Sequence, residues 1–128
     1  MYDSPGGSLT RPAERTARVV TLHDEIDLLT APALRERLDL LTAGPRPDLV
    51  LDLRPVSFID CTGLGVLCRA RNRVLARRGR LRLVTDSGFL RRVLRHAGLA
   101  GVFEVLPGMP PQPREEREEE HGKGAASV

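Results

Sequence analysis

Apolar positions along this chain pass from a strand period to a helix period three times. In "ARVVTLHDEID" the run Val19, Val20 and Leu22 gives way to acids, which predicts a strand followed by a turn. "TAPALRERLDLLTAG" then repeats Leu34, Leu38 and Leu41 at helical spacing. Thr30 is a good N-cap there, Pro32 suits the first turn, and Gly44 can stop the helix. "LVLDL", Leu49 to Leu53, is short, apolar and bounded by prolines, as a central strand should be. From Thr62 the period becomes helical again. Gly63, Val66, Leu67, Ala70 and Val74 share one face, Leu64, Cys68 and Leu75 widen it, and Arg69, Asn72 and Arg73 lie opposite.

Arg77, Arg78 and Gly79 end that helix, with basic side chains and a glycine where helix C-termini favour them. "RLRLVT" alternates as a strand. Asp86 or Ser87 then caps a helix burying Phe89 or Leu90, Val93, Leu94 and Ala97, and Gly98 with Leu99 fits a Schellman stop. "VFEVL" is a last short strand, and a weak extra strand around Leu9 could pair with Val19–Leu22 through a turn near Pro12. Strand–helix alternation of this kind predicts a single α/β domain, with a mostly parallel central sheet of four to five strands covered by helices.

The ends do not share this patterning. Residues 1–15 are rich in Gly, Pro, Ser and charge, and 107–128 hold five Glu and four Pro with few apolar residues. Neither offsets the entropy of ordering, so the domain is expected over 16–106, between a flexible N-terminal segment and a disordered acidic tail. No apolar run reaches the ~18 residues of a membrane span, and no signal-peptide pattern opens the chain, so a soluble, cytoplasmic protein is expected. Cys61 and Cys68 fall seven residues apart on one helix, about 10 Å along its axis at ~1.5 Å per residue. That is too far for a disulfide, and free thiols suit a reducing compartment.

Charge is uneven. Residues 61–100 carry 10 basic side chains against 1 acid, which raises a nucleic-acid hypothesis. The stronger reading is compositional. Of the 20 basic residues 19 are Arg, and the segment has no aromatics interleaved with its arginines for base stacking.

Candidate chemistry concentrates in "FIDCTGLG", Phe58 to Gly65, which puts Cys61 and Thr62 where a strand meets a helix. Sites of open α/β sheets lie there, and unpaired N–H groups welcome an anion. Thr62 has four readings: a helix N-cap, which the change of period at that residue predicts it to be, a catalytic nucleophile, a neighbour of a nucleophilic Cys61, or a phosphate acceptor. A nucleophile needs a base, and His23, His96 and His121 are not placed as one. A thiolate at Cys61 would be opposed by Asp60. A P-loop is excluded, because no Lys-Ser or Lys-Thr follows the glycines. No metal-ligand cluster, cofactor motif or catalytic pair is expected.

"LVLDLRPVSFIDCTGLGVLCRARNRV" resembles the signature of the STAS domain, in particular the bacterial anti-sigma-factor antagonists. "DEIDLLTAPALRERL" is similar to their Gly-Glu-Leu-Asp segment and first helix, and "LVTDSGFLRRVLRHAGLAGVFEVL" to their closing part. The resemblance implies a STAS-type sheet and a binding module rather than an enzyme. Its partners would be an anti-sigma factor that is a serine/threonine kinase and a PP2C-type phosphatase, with no direct nucleic-acid contact. It implies phosphorylation of Thr62, the hydroxyl before Gly-Leu-Gly, with Asp27, Asp60, Cys61, Gly63, Leu64 and Gly65 at the partner surface. The alternatives are a STAS subunit of a stressosome or lipid-transport assembly without a phosphorylation cycle, or a small basic nucleic-acid-binding protein. Two departures bear on structure: Asp24 stands where the family usually has Gly, and the tail lacks the apolar face of a closing helix.

Overall fold

The computed structural model describes residues 17–111 and the backbone of 115–121. The anticipated strand around Leu9, the segment 1–15 and the extreme C-terminus lie outside them. In chain order the elements are β1 (Ala17–Ile26), α1 (Ala31–Leu41), β2 (Asp48–Asp52), β3 (Val56–Ile59), α2 (Cys61–Ala76), β4 (Arg80–Val84), α3 (Gly88–His96), β5 (Glu104–Leu106) and β6 (Glu115–His121). Every strand pairing among the described residues is parallel.

Val19 lies beside Val50, Val50 beside Arg82, and Arg82 beside Glu104, so the order β1-β2-β4-β5 advances steadily in one direction. Right-handed crossovers in such a progression place every helix on the same face of the sheet. That is the arrangement found. Val20, Leu22, Leu49, Leu51, Leu81 and Leu83 point into one cluster with Ala31, Leu34 and Leu38 of α1, Leu67, Ala70 and Val74 of α2, and Leu90 and Leu94 of α3.

The alternate residues Ala17, Val19, Val50 and Val84 point to the other face and are also fully buried, with Leu106 and Met109 packed against them. The chain leaving β5 therefore turns onto the helix-free face, and it rejoins the sheet as β6 beside β1, with Ala17 opposite Glu115 and His23 opposite His121. Since residues 18–21 of β1 also pair with β2, β6 takes the opposite edge. Nothing in the side-chain pattern of "EEREEEH" predicts this strand. A ladder is made by backbone groups, and the edge of β1 supplies them whatever the side chains are.

Two further elements differ from expectation. "VSFI" forms the short strand β3, which takes up the next stretch of β1 after β2, at Asp24, Glu25 and Ile26. β1 is accordingly longer than its apolar run, because His23, Asp24 and Glu25 continue it through a bulge at Asp24/Glu25. Asp24 adopts φ 63°, the left-handed conformation that glycine favours and aspartate tolerates. The turn thus keeps the glycine-like conformation although no glycine is present.

The end of α2 also divides roles that the sequence assigns to one residue. The left-handed position is Arg78 (φ 61°), and Gly79 N–H donates to the Val74 carbonyl at 2.8 Å. Gly79 is needed for a different reason: a Cβ there would stand 2.0 Å from the Pro47 carbonyl oxygen. The stop of α3 is as anticipated, with Gly98 at φ 77° and Leu99 N–H donating to Leu94 O at 2.7 Å.

The basic excess of residues 61–100 is partly neutralised by acids from elsewhere. Arg69 and Arg73 meet Asp39, Arg82 meets Asp48, and Arg80 meets Glu104. Among the described residues no helix is long and apolar enough to cross a membrane.

Candidate functional site

The site is built where β1 and β3 end and α1 and α2 begin. Asp60 N–H donates to the Ile26 carbonyl at 3.2 Å, which ties the start of α2 to the end of β1. Asp60, not Thr62, is the N-cap of α2. It has extended φ and ψ, and its Oδ1 accepts from Gly63 N–H at 2.9 Å. The change of period at Thr62 marks the first helical turn, one step inside the cap. The helix starts earlier because Asp60 offers an acceptor on a backbone already extended by β3.

With Asp60 as cap, Thr62 is released from that duty. Its side chain is exposed, and its hydroxyl makes no hydrogen bond among the described residues. Cys61 beside it is exposed with a free thiol, and Cys68 is a second free thiol on the same helix.

Gly63 and Leu64 face inward. A Cβ on Gly63 would lie 2.5 Å from the Ile26 carbonyl oxygen and 2.7 Å from Ile59 Cγ1, so only glycine lets α2 approach the strands this closely. Leu64 belongs to the helix-side core. Gly65 differs: a Cβ there would meet nothing within 4 Å.

Asp27 organises the start of α1 in the same manner. Its Oδ1 accepts from Leu29 N–H at 3.0 Å and Thr30 N–H at 3.2 Å, and its carbonyl accepts from Ala31 N–H at 2.8 Å. Thr30 is the formal N-cap but makes no side-chain bond into the helix. Its hydroxyl instead accepts from Asp27 N–H and donates to Glu25 O at 2.9 Å. Each of the two aspartates thus closes one turn at the carboxyl edge of the sheet.

Sequence reasoning missed the surface these turns create. Leu28, Ala31, Pro32, Arg35, Thr62, Gly65, Val66 and Arg69 line a groove of about 370 Å³ between α1 and α2. Close by in the chain, Leu28, Leu29 and Phe58 are 69%, 86% and 46% exposed, an unusual concentration of large apolar side chains in water. The available signal was the Leu28-Leu29 pair, which falls outside the helical stripe of α1. Lower in the groove Arg69 forks onto Asp39, with both N···O distances 3.0 Å. The Arg69 guanidinium hydrogen-bonded to it holds the Asp39 carboxyl below the usual carboxylate range against the opposing effect of burial, and the charges of Arg69, Arg73 and Arg35 act in the same direction as that bond. Among the described residues there is no cluster of three metal-ligating side chains.

Fold and site together define a small parallel α/β domain that offers an apolar, hydroxyl-bearing surface at its carboxyl edge. Comparison with known proteins places it further. Residues 10–113 match the STAS domain. The anti-sigma-B factor antagonist of Bacillus subtilis is 37% identical over 86 residues, spanning 67% of this chain and 78% of that protein. The anti-sigma-F factor antagonist RsfB of Mycobacterium tuberculosis is 31% identical, over 68% and 70% respectively. A crystal structure of an anti-sigma factor antagonist from Mycobacterium paratuberculosis superposes with a TM-score of 0.61 at 30% identity, covering 70% of this chain and 79% of that one. The chain belongs to the STAS domain family, among the anti-sigma-factor antagonists.

Proposed function

We propose that this protein binds an anti-sigma factor of the protein-kinase type in the cytoplasm, frees the sigma factor held there, and is switched off by phosphorylation of Thr62. It acts as a binding module and not as a catalyst. The observation that carries the reading is the hydroxyl of Thr62: exposed, without a hydrogen bond among the described residues, and set on the rim of an apolar groove by a helix turn that Asp60 caps independently. In the kinase step the Thr62 Oγ1 attacks the γ-phosphorus of the kinase's ATP. The hydroxyl proton passes to a base on the kinase, and ADP leaves. The modified threonine carries about −1.5 to −2 charges at pH 7. It sits in the first turn of α2, where the helix dipole favours an anion, so the fold tolerates it. The cost falls on the interface, where a partner must desolvate that charge against the exposed Leu28, Leu29 and Phe58. A phosphatase of the PP2C type would restore the binding form. Asp27, Asp60, Cys61 and Gly65 contribute through the turns and surface described above.

Calorimetry with the cognate anti-sigma factor tests this. The unmodified chain and Thr62→Ala should bind alike. Thr62→Asp should bind at least about tenfold more weakly, a loss of ~1.4 kcal/mol. After incubation with ATP and the partner, phosphopeptide mapping should find phosphate on Thr62 and none on the Thr62→Ala chain. Phosphate on Ser57 instead, or equal binding by all three chains, would overturn the assignment.

A further inference from the structure

The groove beside Thr62 holds a cation, Arg35, that makes no hydrogen bond or ion pair among the described residues and reaches Asp39 only by the field of its charge. Two contacts set the axial register of α1 against α2: Asp39 with Arg69 at 3.0 Å, and Thr42 with Arg73 at 2.8 Å. Arg73 also donates to the Asp39 carbonyl at 3.0 Å, so residues thirty to thirty-four positions apart are joined across the groove, and the two helices run parallel. The offset of thirty made by Asp39 and Arg69 sets Arg35 opposite Gly65 and Pro32 opposite Thr62. Arg35 is thus one turn below Thr62 on the facing helix, about 4.5 Å along the axis at ~1.5 Å per residue. Helical side chains lean toward the N-terminus of their helix, which aims the long Arg35 stem up the groove toward Thr62.

Three observations make this more than proximity. Asp39, one turn along α1 from Arg35, feels the Arg35 charge but is already forked by Arg69 and approached by Arg73 at 3.4 Å. Arg35 itself makes no ion pair or hydrogen bond among the described residues, yet it lines the groove with Thr62. The space between the two is left open by Gly65. Packing does not require a glycine there, since an added Cβ would touch nothing within 4 Å. Glycine is a poor helix former, so its presence inside α2 has no local justification. A side chain at 65 would project into the groove that Arg35 and Thr62 line.

We propose that Arg35 is the intramolecular receptor for a phosphate on Thr62, its guanidinium crossing above Gly65 to take two phosphate oxygens and bridge α1 to α2 over the groove. The inference rests on the reading of Thr62 as the modified residue and adds how the modified state is held. A guanidinium fork matches phosphate geometry in a way that an ammonium does not. The bridge lies over Ala31 and Val66, so the off state arises from covering apolar surface as well as from added charge. A carboxylate at 62 is shorter and carries one charge, so Thr62→Asp imitates this state only in part.

The test uses the full-length chain with phosphothreonine installed at position 62 during translation, so no kinase is needed. ³¹P NMR follows the second ionisation of the phosphate in the otherwise wild-type chain and in Arg35→Gln, Arg35→Lys and Arg69→Gln backgrounds. A phosphate held by Arg35 should ionise with a midpoint about one pH unit lower in the wild type than in Arg35→Gln, the low end of what an adjacent cation does to an acid. Arg35→Lys should fall between, and Arg69→Gln should match the wild type. Thermal melts of the unphosphorylated variants establish that each is folded. Identical phosphate titrations in the wild type and folded Arg35→Gln would overturn the proposal, as would a shift that follows Arg69 instead. Neither result touches the binding measurement on unmodified and phosphorylated chains, which alone decides whether Thr62 is the switch.

Discussion

The Oδ1 atom of Asp60 accepts the N–H of Gly63 at 2.9 Å, and this bond separates two duties that a hydroxyl at a helix start usually combines. The acid closes the turn, and the threonine two residues on is left free. Asp60→Ala should therefore lower stability by about 0.5–2 kcal/mol, the usual worth of an N-cap, while Asp60→Asn should lose little. Thr62→Ala should stay within about 0.5 kcal/mol of the wild type, as substitutions at exposed positions do. Denaturant melts of the three chains check the order. A larger loss at Thr62 than at Asp60 would return the cap to the threonine.

The two glycines of Gly-Leu-Gly should respond in opposite ways. Gly63→Ala places a Cβ 2.5 Å from the backbone oxygen of Ile26, which cannot move without disturbing β1. Overpacking of this kind costs roughly 1–3 kcal/mol or more. Gly65→Ala meets nothing and replaces a poor helix former with the best, so a gain of up to ~1 kcal/mol is expected. Thermal denaturation distinguishes them directly.

Acid should weaken the fold through the exposed ion pairs. Hydrogen bonding to Arg80 holds Glu104 below its ordinary value of 4.5, and hydrogen bonding to Arg69 holds Asp39 below 3.8. A depressed carboxyl contributes stability that is complete above its unfolded-state value and is lost as pH falls through the folded one. Unfolding free energy should thus be level from neutral pH down to the mid-fours and decline below. Arg80→Gln should lower stability slightly at pH 7 and not at all in strong acid, where Glu104 is protonated in both chains. Urea melts across this range measure the convergence.

Removing everything after Leu106 should destabilise the domain without dissolving it. Met109 leaves the cluster formed by Ala17, Val19, Val50 and Val84, and β1 loses its β6 neighbour. The helix-side cluster is untouched. A cooperative melt should persist at a lower midpoint, by roughly 4–8 °C for each kcal/mol lost in a domain of this size. An unchanged midpoint would mean that the segment after β5 contributes nothing to the sheet.

What could be read from the sequence followed from periodicity. Leu34 and Leu38 of α1, Val66 to Val74 of α2 and the alternation in β4 each name a buried face, and those faces meet. The Schellman stop at Gly98 was legible because it needs only a glycine and the leucine after it. β3 was not legible, since four residues with exposed Ser57 and Phe58 carry no period. β6 was hidden for a different reason: its pairing is backbone to backbone and leaves no trace in the acidic side chains. At the site, the position of Thr62 could be read from the sequence and its freedom could not. That freedom depends on Asp60, and either residue alone would make a good cap. The α1–α2 groove depends on the lateral register of two helices, which the Asp39–Arg69 pair sets across a separation of thirty positions.

The pairing of Ala17 with Glu115 and of His23 with His121 has a consequence for synthesis on the ribosome. β1 is the first described strand to emerge, and its neighbour β2 follows after a single helix. The residues that pair with its other edge in the finished protein form the last described strand to be made. Until β6 has been made, β1 therefore presents one row of backbone N–H and C=O groups without that neighbour, the condition in which nascent strands pair with the wrong chain.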